Sequence, residues 1–244
     1  MNKILSIVTL FLLMVPVFAT TINIPGDYAT IQDGIEAASD GDTVLVYPGS
    51  YYGPIDFLSK NLVLGSLYLL EENESHIYET VLLNDDFQLS NFVSISSAQY
   101  SELNGFTFQE IVLNSGGDEP QALININVSS PSIINNRFNN SYLFSGGESA
   151  FIYCENSSSL IMNNEFTNGS VGNGYVLGGY ILSKNSSLTI KNNRIENGYV
   201  GFAEPSGYIV SVNSEDIIES NIIINPSMGY CWVCAAISIL DGSN

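Results

Sequence analysis

The chain is poor in positive charge. Six Lys and Arg stand against 25 Asp and Glu, a formal net charge of −19 over 244 residues. A field of that sign repels nucleic acid and anionic membrane surfaces, and it opposes polyanionic ligands unless a cation bridges them. It also keeps a large β-protein soluble. The three cysteines, Cys154, Cys231 and Cys234, are too few for a disulfide scaffold. Cys231-Trp-Val-Cys234 has CxxC spacing but lies in an apolar, strand-like run, whereas a thioredoxin-type pair needs a helix N-terminus to lower its thiol pKa. A zinc site needs two further ligands, and His76 is the only histidine. The cysteines read as buried thiols or a local disulfide.

Long apolar runs are also missing, with one exception at the start. Lys3 supplies a positive n-region, Ile4 to Phe18 an apolar stretch, and Val17 and Ala19 of Val17-Phe18-Ala19 the small residues of a cleavage site before Thr20. Residues 1–19 therefore read as a cleaved leader, which makes the protein secreted or displayed on a cell surface. The run is short for a membrane span and none follows it. Loss of Lys3 takes the charge to −20. About 225 residues remain, 45% of the full chain is hydrophobic and 13% charged, so the mature protein is one globular domain rather than a disordered segment.

Against these absences stands a repeat. Ile133 to Asn140, Ile161 to Asn168, Ile190 to Asn197 and Ile218 to Asn225 share the frame Ile-x-Asn/Ser-Asn-x-Phe/Ile-x-Asn. Within it Phe138, Phe166, Ile195 and Ile223 are 28, 29 and 28 residues apart, and Phe108 lies 30 before Phe138. A second phase agrees: Ile124, Ile152, Ile181, Ile209 and Ile237 are spaced by 28, 29, 28 and 28. Each unit reads as short alternating strands broken by Asn, Ser and Gly turns, with no helical stripe. Such a unit cannot bury its own inner face. Stacked coils, each strand parallel to its counterpart above, bury a continuous core. The fold class is therefore all-β, a right-handed parallel β-helix. Asn136, Asn164, Asn193 and Asn221 predict an amide ladder at one turn, where Asn tolerates the left-handed region, and Asn156, Asn185 and Asn213 predict a second.

The amino end differs. Thr30-Ile-Gln-Asp33 resembles a capping box, and Ile31, Ile35 and Ala38 share one helical face, predicting a helix from Thr30 to Ala38. The expected divisions are a leader at 1–19, a cap at 20–42 and a β-helix at 43–244. Ile237 to Asn244 match the strand and turn that elsewhere precede another Asn-Asn unit, so the β-helix is expected to stop mid-coil.

The run from Ile24 to Tyr51, with its Ile-Pro-Gly-Asp-Tyr opening, its Asp40-Gly-Asp42 and its Val-Tyr-Pro-Gly turn, resembles the N-terminal cap of bacterial right-handed β-helix repeat proteins of the pectin-lyase-like superfamily. Lys60 to Ser66 and Thr80 to Asp85 continue the likeness. It implies the fold across the mature chain. It does not imply an activity, because that superfamily holds lyases, hydrolases, esterases and adhesins. Its polysaccharide lyases use acids to hold calcium and an Arg or Lys as base, and its methylesterases use paired Asp with Arg and Gln. Its polygalacturonases use clustered Asp, a Gly-His-Gly turn and an Arg-x-Lys. None of these strings occurs here.

The cations have other employment. In the repeat register Arg137, Glu165 and Arg194 fall in one outward column, Glu155 matches Lys184, and Lys191 matches Glu219, so each Arg and Lys of the repeat region faces an acid one coil away. His76 falls in the polar stretch Glu71 to His76 and reads as a solvated loop residue. The acidic groups Asp40/Asp42, Glu71/Glu72/Glu74, Asp85/Asp86 and Asp118/Glu119 match no calcium loop, and Ca²⁺ at them is the one metal to consider. No catalytic or metal-binding residue and no required cofactor is assigned. Aromatics in the longest turns, Phe144, Tyr175, Phe202 and Tyr230, are the candidate ligand-binding residues: facing outward, they form a row that packs on sugar rings, and facing inward they are core. The reading is a noncatalytic, exported β-helix acting by surface interaction with extracellular polysaccharide or a cell surface, as an adhesin-like or glycan-binding module. A polysaccharide lyase or esterase of the same fold is the alternative.

Overall fold

A computed structural model describes residues 19–114, 116, 120–144, 147–172, 177–201, 206–229 and 234–240. All of the leader but Ala19, and the Asp118/Glu119 pair, lie outside them. The described strands form four parallel sheets that share the coils. An eight-stranded sheet runs from Thr21–Ile24 to Ile217–Glu219, one seven-stranded sheet from Gly49–Tyr52 to Ile222–Ile224, and a second from Ile55–Asp56 to Cys234–Leu240. A five-stranded sheet of two-residue strands runs from Val112–Leu113 to Ser227–Met228. The chain is a parallel β-helix. Its first strand, Thr21–Ile24, lies within the stretch assigned to the cap yet pairs with Thr43–Val46 as the edge of the eight-stranded sheet.

The register is that of the repeat. Leu103, Ile133, Ile161, Ile190 and Ile218 are successive partners, as are Phe108, Phe138, Phe166, Ile195 and Ile223. The members up to Ile190 and Ile195 are buried, and Ile218 and Ile223 in the last coil are half-buried against the same core. Phe138 lies between Phe108 and Phe166, with ring centroids 4.6 Å away on each side. Tyr180 and Tyr208 continue the aromatic interior, with hydroxyls bonded to the backbone of Gly169 and Gly198. A Cβ on Gly198 would come within 2.6 Å of the Tyr180 hydroxyl and 2.7 Å of the Tyr208 ring, so this turn has room only for glycine. In the last described coil Ile217, Ile222 and Ile239 are each more than half exposed.

The ladders differ in detail from expectation. At the first corner the left-handed residue is the one before the ladder: Asn135, Asn163 and Asn192 have φ of 57°, 57° and 55°. The ladder residues Asn136, Asn164 and Asn193 point inward and are buried. The Asn164 amide donates to the Ile133 carbonyl (2.8 Å) and to Asn193 Oδ1 (3.0 Å), while its own Oδ1 accepts from the Asn136 backbone N–H (3.0 Å) and side chain (3.2 Å). Asn156, Asn185 and Asn213 are left-handed, but the ladder beside them is built of serine. Ser157 N–H donates to Ser186 Oγ, and Ser186 N–H to Ser214 Oγ. A small hydroxyl reaches one coil over where the backbone already turns on the asparagine.

Helix α1 (Ile31–Ala37) closes the amino end, with Ile31, Ile35 and Ala38 buried. Thr30 is its N-cap and accepts from Asp33 N–H at 3.1 Å. Lys60 donates to the carbonyls of Ile35 and Glu36 at the other end, where a cation opposes the helix dipole. Asp42 accepts from Ser39 N–H and from Thr20 N–H, both at 2.7 Å, and these bonds hold its carboxyl below the usual carboxylate range. A carboxyl with a lowered folded pKa stabilises above its unfolded pKa and loses that contribution as pH falls through the lowered value. Asp42→Asn is therefore expected to reduce the melting temperature at pH 7, with the gap to the parent closing on acidification below the ordinary Asp range. Equal gaps at pH 7 and pH 3 would count against this role.

Candidate functional site

From Asn91–Ser96 onward the strands of the second seven-stranded sheet are the longest in their coils, seven residues in Gln121–Asn127, Ser149–Glu155, Gly178–Lys184 and Ser206–Val212. Alternation sends Cys154 into the core and Tyr153 to the opposite face, where Tyr153, Leu182 and Val210 join Ala122 and Ala150 in a small apolar cluster separate from the main core. Polar groups gather on this foundation. The Tyr153 hydroxyl donates to Glu148 at 2.9 Å. Lys184 Nζ lies 3.0 and 3.1 Å from the two Glu148 oxygens and 3.7 Å from Glu155. Burial, reinforced by Glu148 and Glu155, pushes the Tyr153 phenol far above its ordinary pKa. It is a fixed donor rather than a base.

Beside this cluster a groove of about 390 Å³ is lined by Ser90, Asn91, Pro120, Asn125, Asn127, Tyr153 and Glu155. Asn91 Oδ1 is buried there without a hydrogen-bond partner among the described residues. Amides, one carboxylate and an aromatic edge around a trough can exchange hydrogen bonds with a hydroxyl-rich ligand.

Of the aromatic candidates, Phe144 lies in the turn leading into strand Ser149–Glu155. It is 37% exposed and stacks on Tyr142, with centroids 6.5 Å apart and planes 8° from parallel. Tyr175, Phe202 and Tyr230 lie outside the described residues, as does Cys231. Cys154 is a free, buried thiol whose pKa is raised by burial. Tyr153 and Glu148 were not singled out from sequence. The signal for them was the Glu155–Lys184 match, which marks the same outer face two residues further along.

The ion pairs follow the columns at three cations and depart at one. Arg137 pairs with Glu165 (2.8 Å), Lys184 with Glu155 as well as Glu148, and Lys191 with Glu219 (2.7 Å). Arg194 turns instead to Glu196 on its own strand, while Glu165 pairs with Arg137. His76 is not a solvated loop residue. It sits on helix α3 (Ser75–Glu79) with its side chain 12% exposed and Nε2 2.8 Å from Glu71. Two of the acidic pairs have a carboxylate engaged by backbone, Asp40 accepting from Asn61 N–H and Asp86 from Gln88 N–H, while Glu71 pairs with His76. Among the described residues no three carboxylate, thiol or imidazole side chains converge to hold a metal ion, and no helix is long and apolar enough to cross a membrane.

No family model matches the chain, and no curated protein matches it in sequence. Among solved structures it is similar to the PL6-family alginate lyase AlyGC, at a TM-score of 0.40 and 12% identity over 91% of this chain and 40% of that one. It is also similar to ORF18 of Geobacillus virus E2, at a TM-score of 0.26 and 13% identity over 92% and 62%. The chain thus spans two fifths of the lyase and under two thirds of the viral protein.

Proposed function

We propose that the protein is an exported, right-handed β-helix of the pectin-lyase-like kind that acts without catalysis, holding extracellular polysaccharide against the outer face of its longest strands. The carrying observation is the closed cluster of Tyr153, Glu148, Lys184 and Glu155. Its lysine is tied to two carboxylates and its phenol donates to one of them, an arrangement ill suited to abstracting a proton, and the amides of Asn91, Asn125 and Asn127 line the groove beside it. The exposed Tyr142–Phe144 pair adds a platform for the apolar face of a sugar, and Tyr175, Phe202 and Tyr230 are proposed to extend it in the following coils.

One observation favours the alternative of a lyase or esterase: a lysine and a tyrosine do converge beside a groove. The two are separated by incubating the mature protein with polygalacturonate, methylated pectin and alginate, with calcium or with chelator. No unsaturated-uronide absorbance and no release of methanol or acetate is expected. Turnover above background that vanishes in Lys184→Ala would replace the noncatalytic reading. In affinity electrophoresis the double variant Tyr142→Ala/Phe144→Ala is expected to lose about tenfold in affinity for retained polysaccharide, as loss of about 1.4 kcal/mol of ring contact requires.

A further inference from the structure

A second groove lies on another face of the coil stack and rests on different residues. Leu64 and its partner Leu103 are 39 residues apart, whereas Leu103, Ile133 and Ile161 follow at steps of 30 and 28. The extra length lies in residues 67–79, which fold into helices α2 (Tyr68–Glu71) and α3. These helices are fastened to the coil. Thr107 Oγ1 donates to the Ile77 carbonyl at 2.7 Å in a buried bond, Thr80 Oγ1 donates to the His76 carbonyl at 2.7 Å, and Ile77 is buried. Gly105, at φ +83°, makes room for them: a Cβ there would lie 2.6 Å from Ser66 Oγ and 3.2 Å from Tyr68 Cβ.

The wall so raised borders an open groove of about 450 Å³ lined by Tyr68 and Tyr78 of the helices and by the Arg137–Glu165–Arg194 column of the coils. Along the groove runs the outward row Asn135, Asn163, Asn192. Asn135 donates one amide hydrogen to Asn104 (3.0 Å) and Asn163 one to Asn135 (3.3 Å), which leaves each the second for a ligand. Parallel pairing spaces these amides by about 4.8 Å per coil. The Arg137 guanidinium lies 4.3 Å from the centre of the Tyr78 ring, while its Nε is held by Glu165. Tyr78 itself is 49% exposed.

Charge and polarity select the occupant. Arg137 is neutralised by Glu165 and Arg194 by Glu196, so the groove offers no unpaired cation to a polyuronate or a phosphate. The walls are amide, carboxylate, guanidinium and phenol, which gives an apolar peptide or a lipid chain little to bury against. A linear chain of uncharged sugars fits: its hydroxyls bond in both directions to a periodic row of amides, and its apolar ring faces pack on tyrosine. We propose that this groove is a separate binding site for a neutral linear oligosaccharide, with Tyr78 on Arg137 as its platform. It shares only the broad class of ligand with the preceding reading.

The test is titration of the full mature protein with cellohexaose, mannohexaose and laminarihexaose, and with tri-galacturonate as the charged control. Calorimetry gives the affinity, and NMR follows the side-chain amides of Asn163 and Asn192. At least one neutral hexasaccharide is expected to shift both amides. Tyr78→Ala, at an exposed position, should weaken that binding about tenfold with an unchanged melting temperature, and Tyr78→Phe should retain it. Tyr142→Ala/Phe144→Ala should leave it untouched. Unmoved amides with all three hexasaccharides, preference for tri-galacturonate, or binding indifferent to Tyr78→Ala overturns the proposal. Binding that responds only to Tyr142→Ala/Phe144→Ala overturns it too, while leaving the outer-face reading in place. Shifted amides with no binding attributable to Tyr142 or Phe144 does the reverse.

Discussion

Asn164→Ala is expected to destabilise the protein by about 3–5 kcal/mol, although it deletes only an amide. Asn164 lies mid-ladder, 1% exposed, and engages four groups on its neighbours. With alanine there, the Ile133 carbonyl loses the side-chain donor it has, and the Asn136 backbone N–H loses its acceptor. Neither can reach water. Leaving a buried polar group unsatisfied costs about 1–3 kcal/mol, which exceeds the roughly 1 kcal/mol an ordinary hydrogen bond contributes. Asn221, at the last described rung, is half-buried; it accepts from Asn193 and donates to the Ile190 carbonyl but has no described rung beyond it to donate to, so Asn221→Ala is expected to cost less. Urea melts of the two variants side by side check this. Equal losses, or a loss under 1 kcal/mol at Asn164, would show that the ladder is incidental.

Phe138→Ala is the second large effect, about 3–5 kcal/mol. The ring is sandwiched between Phe108 and Phe166 at 4.6 Å on either side, with the Phe151 ring 6.4 Å away. Truncation removes the transfer energy of the ring and leaves a cavity whose upper and lower walls are rings fixed by the strand register above and below, so they cannot collapse inward. Phe138→Leu fills most of the space and is expected to lose less than half as much. Tyr100→Ala, at an 86% exposed position, should lie within about 0.5 kcal/mol of the parent. Thermal melts that fail to rank Ala below Leu at 138 would contradict the packing described.

The coil period was readable because a single physical demand, burial of the same inner face at the same step, writes one residue type at one spacing. That held for both isoleucine columns and for the phenylalanines. Corners were read less well. Asn135-Asn136 offers two residues able to take a left-handed backbone or to bond inward, and nothing local separates them. The choice follows from the inner carbonyl of Leu103, a coil away, which accepts from Asn136. Arg194 shows the same limit, since an acid on its own strand, Glu196, competes with the one a coil away. His76 was misplaced for a further reason: α2 and α3 are too short to stand alone and exist through contacts such as Thr107 to Ile77, thirty residues away. The outer-face site was visible only as a charge match between Glu155 and Lys184. Tyr153 looked like one more strand residue, because an outward tyrosine over a second apolar layer has no signature in spacing.

The long coil that carries α2 and α3 has a bearing on how such a molecule can change. Thirteen residues enter between two strands, and the next strands still meet their partners in unbroken register. In a stack where each coil touches only its neighbours, lengthening one connection alters a local closure cost, about 0.6 kcal/mol for each doubling, and leaves every other interface as it was. New walls, lids or contact loops can therefore be tried one coil at a time while the scaffold stays constant. Diversification of what the surface recognises is uncoupled from the survival of the fold.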